Sequence, residues 1–354
     1  MKNSIAIICG GTGGHVFPAL SLKEELLKLD EKVTFCVDQR GFRFVPHNMN
    51  VVEVAIHRSF PPLGKFFYPF SLFGAFLSYT IRFILDRPKL VVGFGGYPTM
   101  PGILAAFVLR IPIVIHEGNS FLGKANRFLQ KFAKKICVSF HGTKTDYMAK
   151  TIVTGMPVRS AIRHKNYTYI EPREDEPFHL LVIGGSQAAS LFTKLIPDAI
   201  NDLSVDQQRR FVIHQQCKAD QIDLAYAEYK TLPVSVTIKP FFNDMENQYE
   251  FAHLVIARSG SSSVFEIIHT KRPAIFFPFA AAIEGDQAKN AKNVEDKNAC
   301  WVLNEKEAGP RVLAKLLSDL MDNPHLLTEK SKSIAKLQSE DATHAFAKML
   351  KNDL

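Results

Sequence analysis

The chain of 354 residues predicts an α/β protein built from two Rossmann-like, doubly wound parallel-sheet domains facing across a cleft. Three observations carry that expectation. Continuous apolar strands alternate with amphipathic helices through both halves, the pattern of a parallel sheet covered on both faces. Two segments, IAIICGGTGGH and LLVIGGSQAAS, repeat one plan of apolar strand, Gly-Gly, small polar residues and helix. At roughly 100–200 residues per domain, the length suits two domains.

The elements follow in order. Ile5 to Cys9 reads as a buried strand, Ala19 to Leu29 as a helix and Val33 to Val37 as a strand. Leu90 to Phe94, Ile113 to His116 and Lys135 to Ser139 are strands, with helices over Gly102 to Leu109 and Ala125 to Lys134. The pattern then restarts. His179 to Ile183, Phe211 to Gln215, Val234 to Ile238, His253 to Ala257 and Ala274 to Pro278 are the strands of the second half. The join falls in Thr154-Gly155-Met156-Pro157-Val158-Arg159, giving domains over 1–158 and 159–334. In open parallel sheets ligands bind beyond the carboxyl ends of the strands, so a ligand is expected in the cleft.

Composition narrows the classes. With 46% hydrophobic and 22% charged residues the chain is neither disordered nor fibrous. A mean hydropathy of -0.01 excludes a polytopic membrane protein. Five scattered cysteines without a CxxC exclude a disulfide framework and a zinc ribbon, and fit a reducing, cytoplasmic compartment. The apolar run Ile5 to Cys9 is too short for a signal segment and ends in glycines. Residues 1–155 hold 19 Lys+Arg and 9 Asp+Glu, a net of +10, which leaves 24 and 26, a net of −2, for the remainder. A basic half suits an anionic membrane surface or nucleic acid, with plain solubility as the alternative.

Two uncharged stretches test the membrane question. Leu90 to Leu109 is broken by Gly93, Gly95, Gly96, Pro98, Pro101 and Gly102, and reads as strand, glycine loop and helix. Phe66 to Ile81 is short for a span and contains Pro69 and Gly74. Phe66, Phe70 and Phe73 share a helical face, joined by Phe67 nearby and edged by Lys65, Arg82 and Arg87. That stripe is either a core helix or an interfacial patch whose rings enter the acyl boundary while basic residues meet lipid phosphates.

Gly10-Gly11-Thr12-Gly13-Gly14-His15 opens the first helix. Glycines let the backbone approach a ligand, and free amides at a helix start attract phosphate or a developing alkoxide. Val16 stands where a dinucleotide motif needs its third glycine, and no Lys-Ser/Thr follows, so NAD binding and ATP hydrolysis lose ground. The positive helix end favours a neutral His15 that can accept a proton; the alternative is a ring that only hydrogen-bonds the loop. Arg258-Ser259-Gly260-Ser261-Ser262-Ser263-Val264-Phe265-Glu266 is a second strand–loop–helix. Ser263 and Glu266 have capping-box spacing; alternatively the serines and helix amides hold phosphate while Glu266 takes two ribose hydroxyls. Glu284 to Ala291 could read sugar hydroxyls, or could simply be a solvated helix start. His116-Glu117-Gly118-Asn119 and Gly93-Phe94-Gly95-Gly96-Tyr97 end two strands. None of these has metal-ligand spacing, and no Asp-x-Asp follows a strand, so no metal cofactor is expected.

Taken in order, GGTGGHVFPAL, GFGGY, HEGN, TGMPVR, GGSQ, FFNDM, RSGSSSVFE and DQAKNA resemble the motifs of the MurG family over nearly the whole chain. These are GT-B-fold, peripheral membrane N-acetylglucosaminyltransferases of peptidoglycan synthesis. The resemblance implies inverting transfer of N-acetylglucosamine from UDP-N-acetylglucosamine to the muramyl 4-hydroxyl of lipid I, giving lipid II and UDP, with no cofactor. It implies a place on the cytoplasmic face of the bacterial inner membrane, with an anionic surface, no nucleic acid, and other cell-wall synthesis and division proteins as partners. It further implies an acceptor and membrane domain first and a donor domain second, with a last helix, about 335–354, packing back on the first. Donor contacts would come from Thr12, Gly13, Gly14, Asn119, Arg159, Ser186, Phe242, Ser261, Ser262, Ser263, Val264, Phe265, Glu266 and Gln287. Phe242 would offer backbone atoms to uracil and Glu266 would hold the ribose. His15 would be the base or position the acceptor, with Tyr97, His116 and Glu117 lining the acceptor side. Gly118, Ala188 and Asp286 depart from the family's usual residues. The rival expectations are another GT-B glycolipid transferase, a UDP-sugar epimerase, and a non-catalytic nucleotide-sugar binder.

Overall fold

Branched apolar residues dominate the strands of the computed structural model. It describes residues 3–46, 48–54, 64–184, 190–280, 285–305, 307–338 and 341–352, the side chains of 64–68 excepted. The chain divides into two compact units, Met1–Ser160 with Ser339–Leu354, and Ala161–Gln338. The break falls two residues beyond the expected join and places Arg159 in the first unit.

The first unit contains β1 (Ile5–Cys9), α1 (Gly13–Lys28), β2 (Val33–Asp38), α2 (Gln39–Phe42), β3 (Val52–Val54), α3 (Gly64–Leu85), β4 (Leu90–Gly93), α4 (Met100–Val108), β5 (Ile113–Glu117), α5 (Lys124–Leu129), β6 (Lys135–Val138) and β7 (Thr151–Val153). Its seven strands run in the order β3-β2-β1-β4-β5-β6-β7, and every registered pair is parallel. All five residues of β1 are buried, as a strand covered on both faces requires. Successive side chains alternate faces. Ala6 and Ile8 pack with Tyr79, Phe83 and Ile103 from α3 and α4. Ile5 and Ile7 pack with Val16, Leu22 and Phe346 from α1 and the C-terminal helix Ala342–Asn352.

That last helix is fastened to the first unit by more than apolar burial. His344 Nδ1 meets Glu25 Oε1 at 2.7 Å, the Thr343 hydroxyl accepts from the Val158 amide at 3.2 Å, and Lys351 Nζ donates to the Leu29 carbonyl at 2.8 Å. A lysine on the closing carbonyls of α1 also suits the negative end of its dipole.

The second unit contains β8 (Phe178–Ile183), β9 (Phe211–Gln216), β10 (Ser235–Lys239), β11 (Leu254–Ala257), β12 (Ala274–Phe276) and β13 (Trp301–Val302). They form a parallel sheet in the order β10-β9-β8-β11-β12-β13. Its core joins Phe178, Leu180 and Val182 to Phe192, Ile196, Leu313 and Leu317 from covering helices. Strand order reverses direction at β1/β4 in one sheet and at β8/β11 in the other, and ligands favour the crevice such a reversal opens.

Three strands escape the sequence pattern: β3, β7 and β13. They have only three, three and two residues and sit at sheet edges, too short to show an apolar period. The first helix begins at Gly13, six residues before its apolar stripe becomes visible at Ala19. The segment expected as one helix over Ala125 to Lys134 is shorter, α5 followed by a 3₁₀ turn over Gln130–Phe132.

Candidate active site

The loops after β1 and β4 flank the reversal point of the first sheet, and a turn at Gly11 shapes the first of them. Gly11 has φ 80°, and the Thr12 amide donates back to the Gly10 carbonyl at 3.1 Å, closing a three-residue turn. Asp38, buried at the end of β2, holds that turn. Its Oδ1 accepts from the Gly11 amide at 2.7 Å and from the Gly41 amide at 2.9 Å. An acid at this strand end takes the ribose in dinucleotide-binding folds; here the carboxylate is engaged with the protein's own main chain. Sequence reading missed Asp38, whose only signal was an acid directly after an apolar strand.

The turn delivers Thr12 as the cap residue of α1, with no capping bond from its side chain, and Gly13, Gly14 and His15 as the first three helical positions. Thr12 receives the His15 and Val16 amides on its carbonyl at 3.1 and 3.2 Å. The His15 ring lies under the β4 loop. A Cβ on Gly96 would stand 3.4 Å from His15 Nε2, and one on Gly95 3.7 Å from Cε1. Both glycines have positive φ, so the backbone closes over the ring without a side chain in the way. Burial pushes the His15 imidazole below its ordinary pKa, while its hydrogen bond with the Phe94 backbone and the charge of Asp38 oppose that shift. The ring is therefore neutral at pH 7, as expected, with burial as the larger cause rather than the helix end.

Two of the expected acceptor-side residues are placed otherwise. His116 is only 1% exposed. Its Nε2 lies 3.2 Å from both the Gly155 carbonyl and the Ser139 hydroxyl, and its ring stacks on Phe346 at 5.4 Å. Burial pushes its pKa down to about 4, with the Gly155 bond opposing and His15 adding to the fall. It is a core histidine, because β5 is a central strand and His116 lies beneath the C-terminal helix. Glu117 is buried too. Its carboxylate accepts from the Asn119 amide at 3.0 Å, the Gly123 amide at 3.0 Å and Asn126 Nδ2 at 3.0 Å, so it shapes the loop after β5 from within. Burial raises its pKa although these bonds pull the other way. Asn119 is half-buried, with Nδ2 donating to Glu117 Oε1 at 3.2 Å. Tyr97 is exposed. Arg159 lays its guanidinium over the Phe17 ring of α1, 5.2 Å from the centroid.

In the second unit, β11 ends in Arg258-Ser259-Gly260 and a helix runs over Ser261–Thr270. Its cap residue is Gly260 and no side chain caps it, so the capping-box alternative for Ser263 and Glu266 does not hold: Ser263 is already the third helical residue. Ser261, Ser262 and Ser263 occupy the first turn, partly exposed, where amides and hydroxyls can surround an anion. Val264 is fully buried, so only its backbone can serve a ligand, and Phe265 is half-buried. Glu266 is buried, and its Oε2 accepts from the Tyr249 hydroxyl at 3.1 Å.

Phe242 is buried with its ring stacked on His214 at 5.9 Å. Gln287 ties the edge together. Its Oε1 accepts from the Phe279 amide at 3.0 Å and its carbonyl from the Ser259 hydroxyl at 2.8 Å. An ion pair between buried Arg258 and half-buried Glu305, unseen in the sequence, supports the same edge. Arg258 donates to Glu305 at 3.1 and 3.4 Å and to the Phe277 carbonyl at 3.1 Å. Burial pushes the Glu305 carboxyl up, but the bonds from Arg258 and the Ala280 amide outweigh it and hold it below the usual range. The pair spans 47 residues of sequence, so no local spacing announces it. Ser186 and Ala188 lie outside the described residues, as do the side chains of Lys65, Phe66 and Phe67.

The aromatic stretch forms α3, and its two faces differ. Ala75, Tyr79 and Phe83, four apart, enter the core. Phe70 is 74% exposed and Phe73 59%, and Leu77, Ile81, Ile84 and Leu85 continue the exposed apolar surface beside exposed Arg82. Among the described residues no helix is long and apolar enough to cross a membrane.

Residues 5–138 match the model of the glycosyltransferase family 28 N-terminal domain, and residues 179–346 that of the glycosyltransferase family 28 C-terminal domain. A Rickettsia bellii protein named UDP-N-acetylglucosamine--N-acetylmuramyl-(pentapeptide) pyrophosphoryl-undecaprenol N-acetylglucosamine transferase is 37% identical over 343 residues, 95% of this chain and 96% of that protein. The crystal structure of Acinetobacter baumannii MurG aligns with a TM-score of 0.78 at 28% identity, covering 98% of this chain and 99% of that one. A UDP-GlcNAc 2-epimerase from Neisseria meningitidis, solved bound to UDP-GlcNAc, aligns with a TM-score of 0.68 at 11% identity over 98% of each chain, a likeness of fold alone.

Proposed function

The chain belongs to glycosyltransferase family 28, and from that premise we propose that it moves N-acetylglucosamine from UDP-N-acetylglucosamine to N-acetylmuramyl-(pentapeptide) pyrophosphoryl-undecaprenol, lipid I, giving lipid II and UDP. The observation that carries this is agreement along nearly the whole chain with relatives named for that reaction.

The residues support a division of labour. The muramyl 4-hydroxyl attacks the anomeric carbon from the face opposite UDP, the bond from that carbon to the diphosphate oxygen breaks, and the new link is β. His15 takes the hydroxyl proton, since its ring is neutral and one nitrogen remains to accept once the Phe94 carbonyl binds the other. Negative charge grows on the departing diphosphate. The first-turn amides of Ser261, Ser262 and Ser263, at the positive end of their helix, are suited to receive it without a metal ion. Glu266 holds the ribose, and the backbone at Phe242 reads uracil. A transfer assay with labelled UDP-N-acetylglucosamine and a lipid I analogue tests the reading, with UDP-N-acetylgalactosamine as comparison. Label must appear in the lipid product; consumption of the sugar nucleotide in the absence of acceptor would point to epimerase chemistry instead.

The enzyme docks on the anionic cytoplasmic membrane surface through α3. Exposed Phe70, Phe73, Leu77 and Ile81 supply apolar area, and Arg82 with the net charge of +10 over residues 1–155 supplies attraction to lipid phosphates. Binding to vesicles containing phosphatidylglycerol should weaken as salt rises. Phe70→Ser with Phe73→Ser should abolish it while leaving transfer to a detergent-soluble acceptor intact; retained binding places the contact elsewhere.

A further inference from the structure

We propose that Asp38 is a positioning residue for this transfer: its carboxylate clamps the Gly11 turn and so sets where His15 stands. The inference rests on the transferase reading and adds a residue that the sequence motifs do not include.

One oxygen, Oδ1, binds both the Gly11 amide at 2.7 Å and the Gly41 amide at 2.9 Å. Two glycine positions pack tightly against that oxygen. A Cβ on Gly10 would fall 2.3 Å from it, and one on Gly41 2.9 Å from it and 3.1 Å from the Gly10 Cα. The Gly10 position also touches the loop after β4, since the same Cβ would lie 3.0 Å from Pro98 Cβ. The carboxylate thus sits where the β1 loop and the start of α2 converge, next to the loop that covers the His15 ring. It is 4% exposed, and its Oδ1 is engaged by two main-chain amides.

The clamp reaches His15 by two routes. Through the backbone, the Gly11 turn delivers Thr12, whose carbonyl takes the His15 amide and starts α1. Through space, the negative charge of Asp38 raises the basicity of a ring that burial depresses. Among the described residues His116 on β5, with a pKa pushed down to about 4 and sealed from solvent, also interacts with this ring. Of the nearby cations, Arg159 lies over the Phe17 ring and Arg43 over the Phe44 ring.

Asp38→Asn separates the two routes, because an amide oxygen can keep both backbone bonds while the charge is lost. Asp38→Ala removes both. Misplacement of a catalytic group by about 1 Å costs on the order of 10²-fold in rate, so Asp38→Ala should lose about that much kcat. Asp38→Asn should recover most of it, with the acid limb of the kcat/KM–pH profile moved to lower pH. UDP affinity, measured by calorimetry, should be unchanged in Asp38→Asn, which keeps the turn that also carries Thr12, Gly13 and Gly14. An active wild type with both variants at its rate and with an unmoved acid limb overturns this role alone. Loss of UDP affinity in Asp38→Asn also overturns it, since the effect would then not act through His15. A wild type inactive toward the lipid I analogue overturns the transferase reading and this role with it. Should Asp38→Ala fail to fold, the Asp38→Asn pH profile decides.

Discussion

At the carboxyl edges of the two sheets, the same strand–glycine–helix plan is put to two uses. In the first unit the glycine turn is pinned by Asp38, Gly11 takes a positive φ, and a histidine stands at the third helical position. In the second unit Gly260 has an ordinary φ of −61°, no side chain caps the helix, and three serines fill its first turn. On the proposed reading, moving a proton requires one ring at one place, which suits a clamped loop. On the same reading, holding a diphosphate requires several main-chain donors, which suits a helix start that no side chain caps. The difference teaches that a shared fold edge does not predict its chemistry; the side chains at the first helical turn do.

The largest expected effect breaks the comparison at its first term. His15→Ala should cut kcat by at least about 10²-fold, the usual worth of a positioned general base, while UDP affinity stays as it was. Near-normal turnover removes His15 from the base role and reduces the clamped loop to a structural turn.

The second effect separates His15 from His116. Both stand at the carboxyl end of the sheet, one reachable and one sealed by Phe346. The folded pKa of His116, about 4, lies below its unfolded value near 6.5. The unfolded chain therefore binds the proton first, and stability present at pH 7 is lost as pH falls from about 6.5 to about 4. At 1.36 kcal/mol per unit that loss is on the order of 3 kcal/mol. Urea melts at pH 7 and pH 4.5, followed through the first unit, check it; a flat profile means that His116 is solvated after all.

How much of this was legible in the sequence depends on distance along the chain. Strand and helix identity and the repeated glycine units are local, and the apolar runs announce them; the lowered pKa of His15 comes from burial, which no local spacing gives. The family resemblance put His116 and Glu117 on the acceptor side, yet Phe346, some 230 residues on, seals the first, and Asn126 with Gly123 consume the second. Asp38 with Gly11, and Arg258 with Glu305, are pairs made by topology. The faces of α3 were ambiguous because both are aromatic; packing against α4 decided that Tyr79 and Phe83 go in while Phe70 and Phe73 stay out.

A smaller effect sharpens the second term. Glu266→Gln keeps an acceptor for the Tyr249 hydroxyl but removes the charge offered to the ribose. Hydrogen bonds to charged groups exceed neutral ones by about 1 kcal/mol, so UDP affinity should fall several-fold with little change in melting temperature. Calorimetry giving the wild-type affinity would leave Glu266 as a partner of Tyr249 and nothing more.

The smallest effects set the two glycines against each other. A Cβ at Gly11 or at Gly260 meets nothing within 4 Å, so neither substitution by alanine is a clash. Gly11→Ala forces a side chain into φ 80°, at a cost of about 1–2 kcal/mol in the first unit. Gly260→Ala keeps an allowed φ and replaces one poor cap by a poorer one, costing about 1 kcal/mol or less. Their functional consequences should diverge although their chemistry is identical. Gly11→Ala disturbs the turn that carries His15 and lowers kcat more than it lowers UDP affinity. Gly260→Ala puts a methyl group where the proposed diphosphate approaches the helix amides and lowers UDP affinity with only a small fall in melting temperature. If both variants lost the same kinetic parameter, the two edges would share one task, and the contrast between a clamped loop and an open helix start would have no functional meaning.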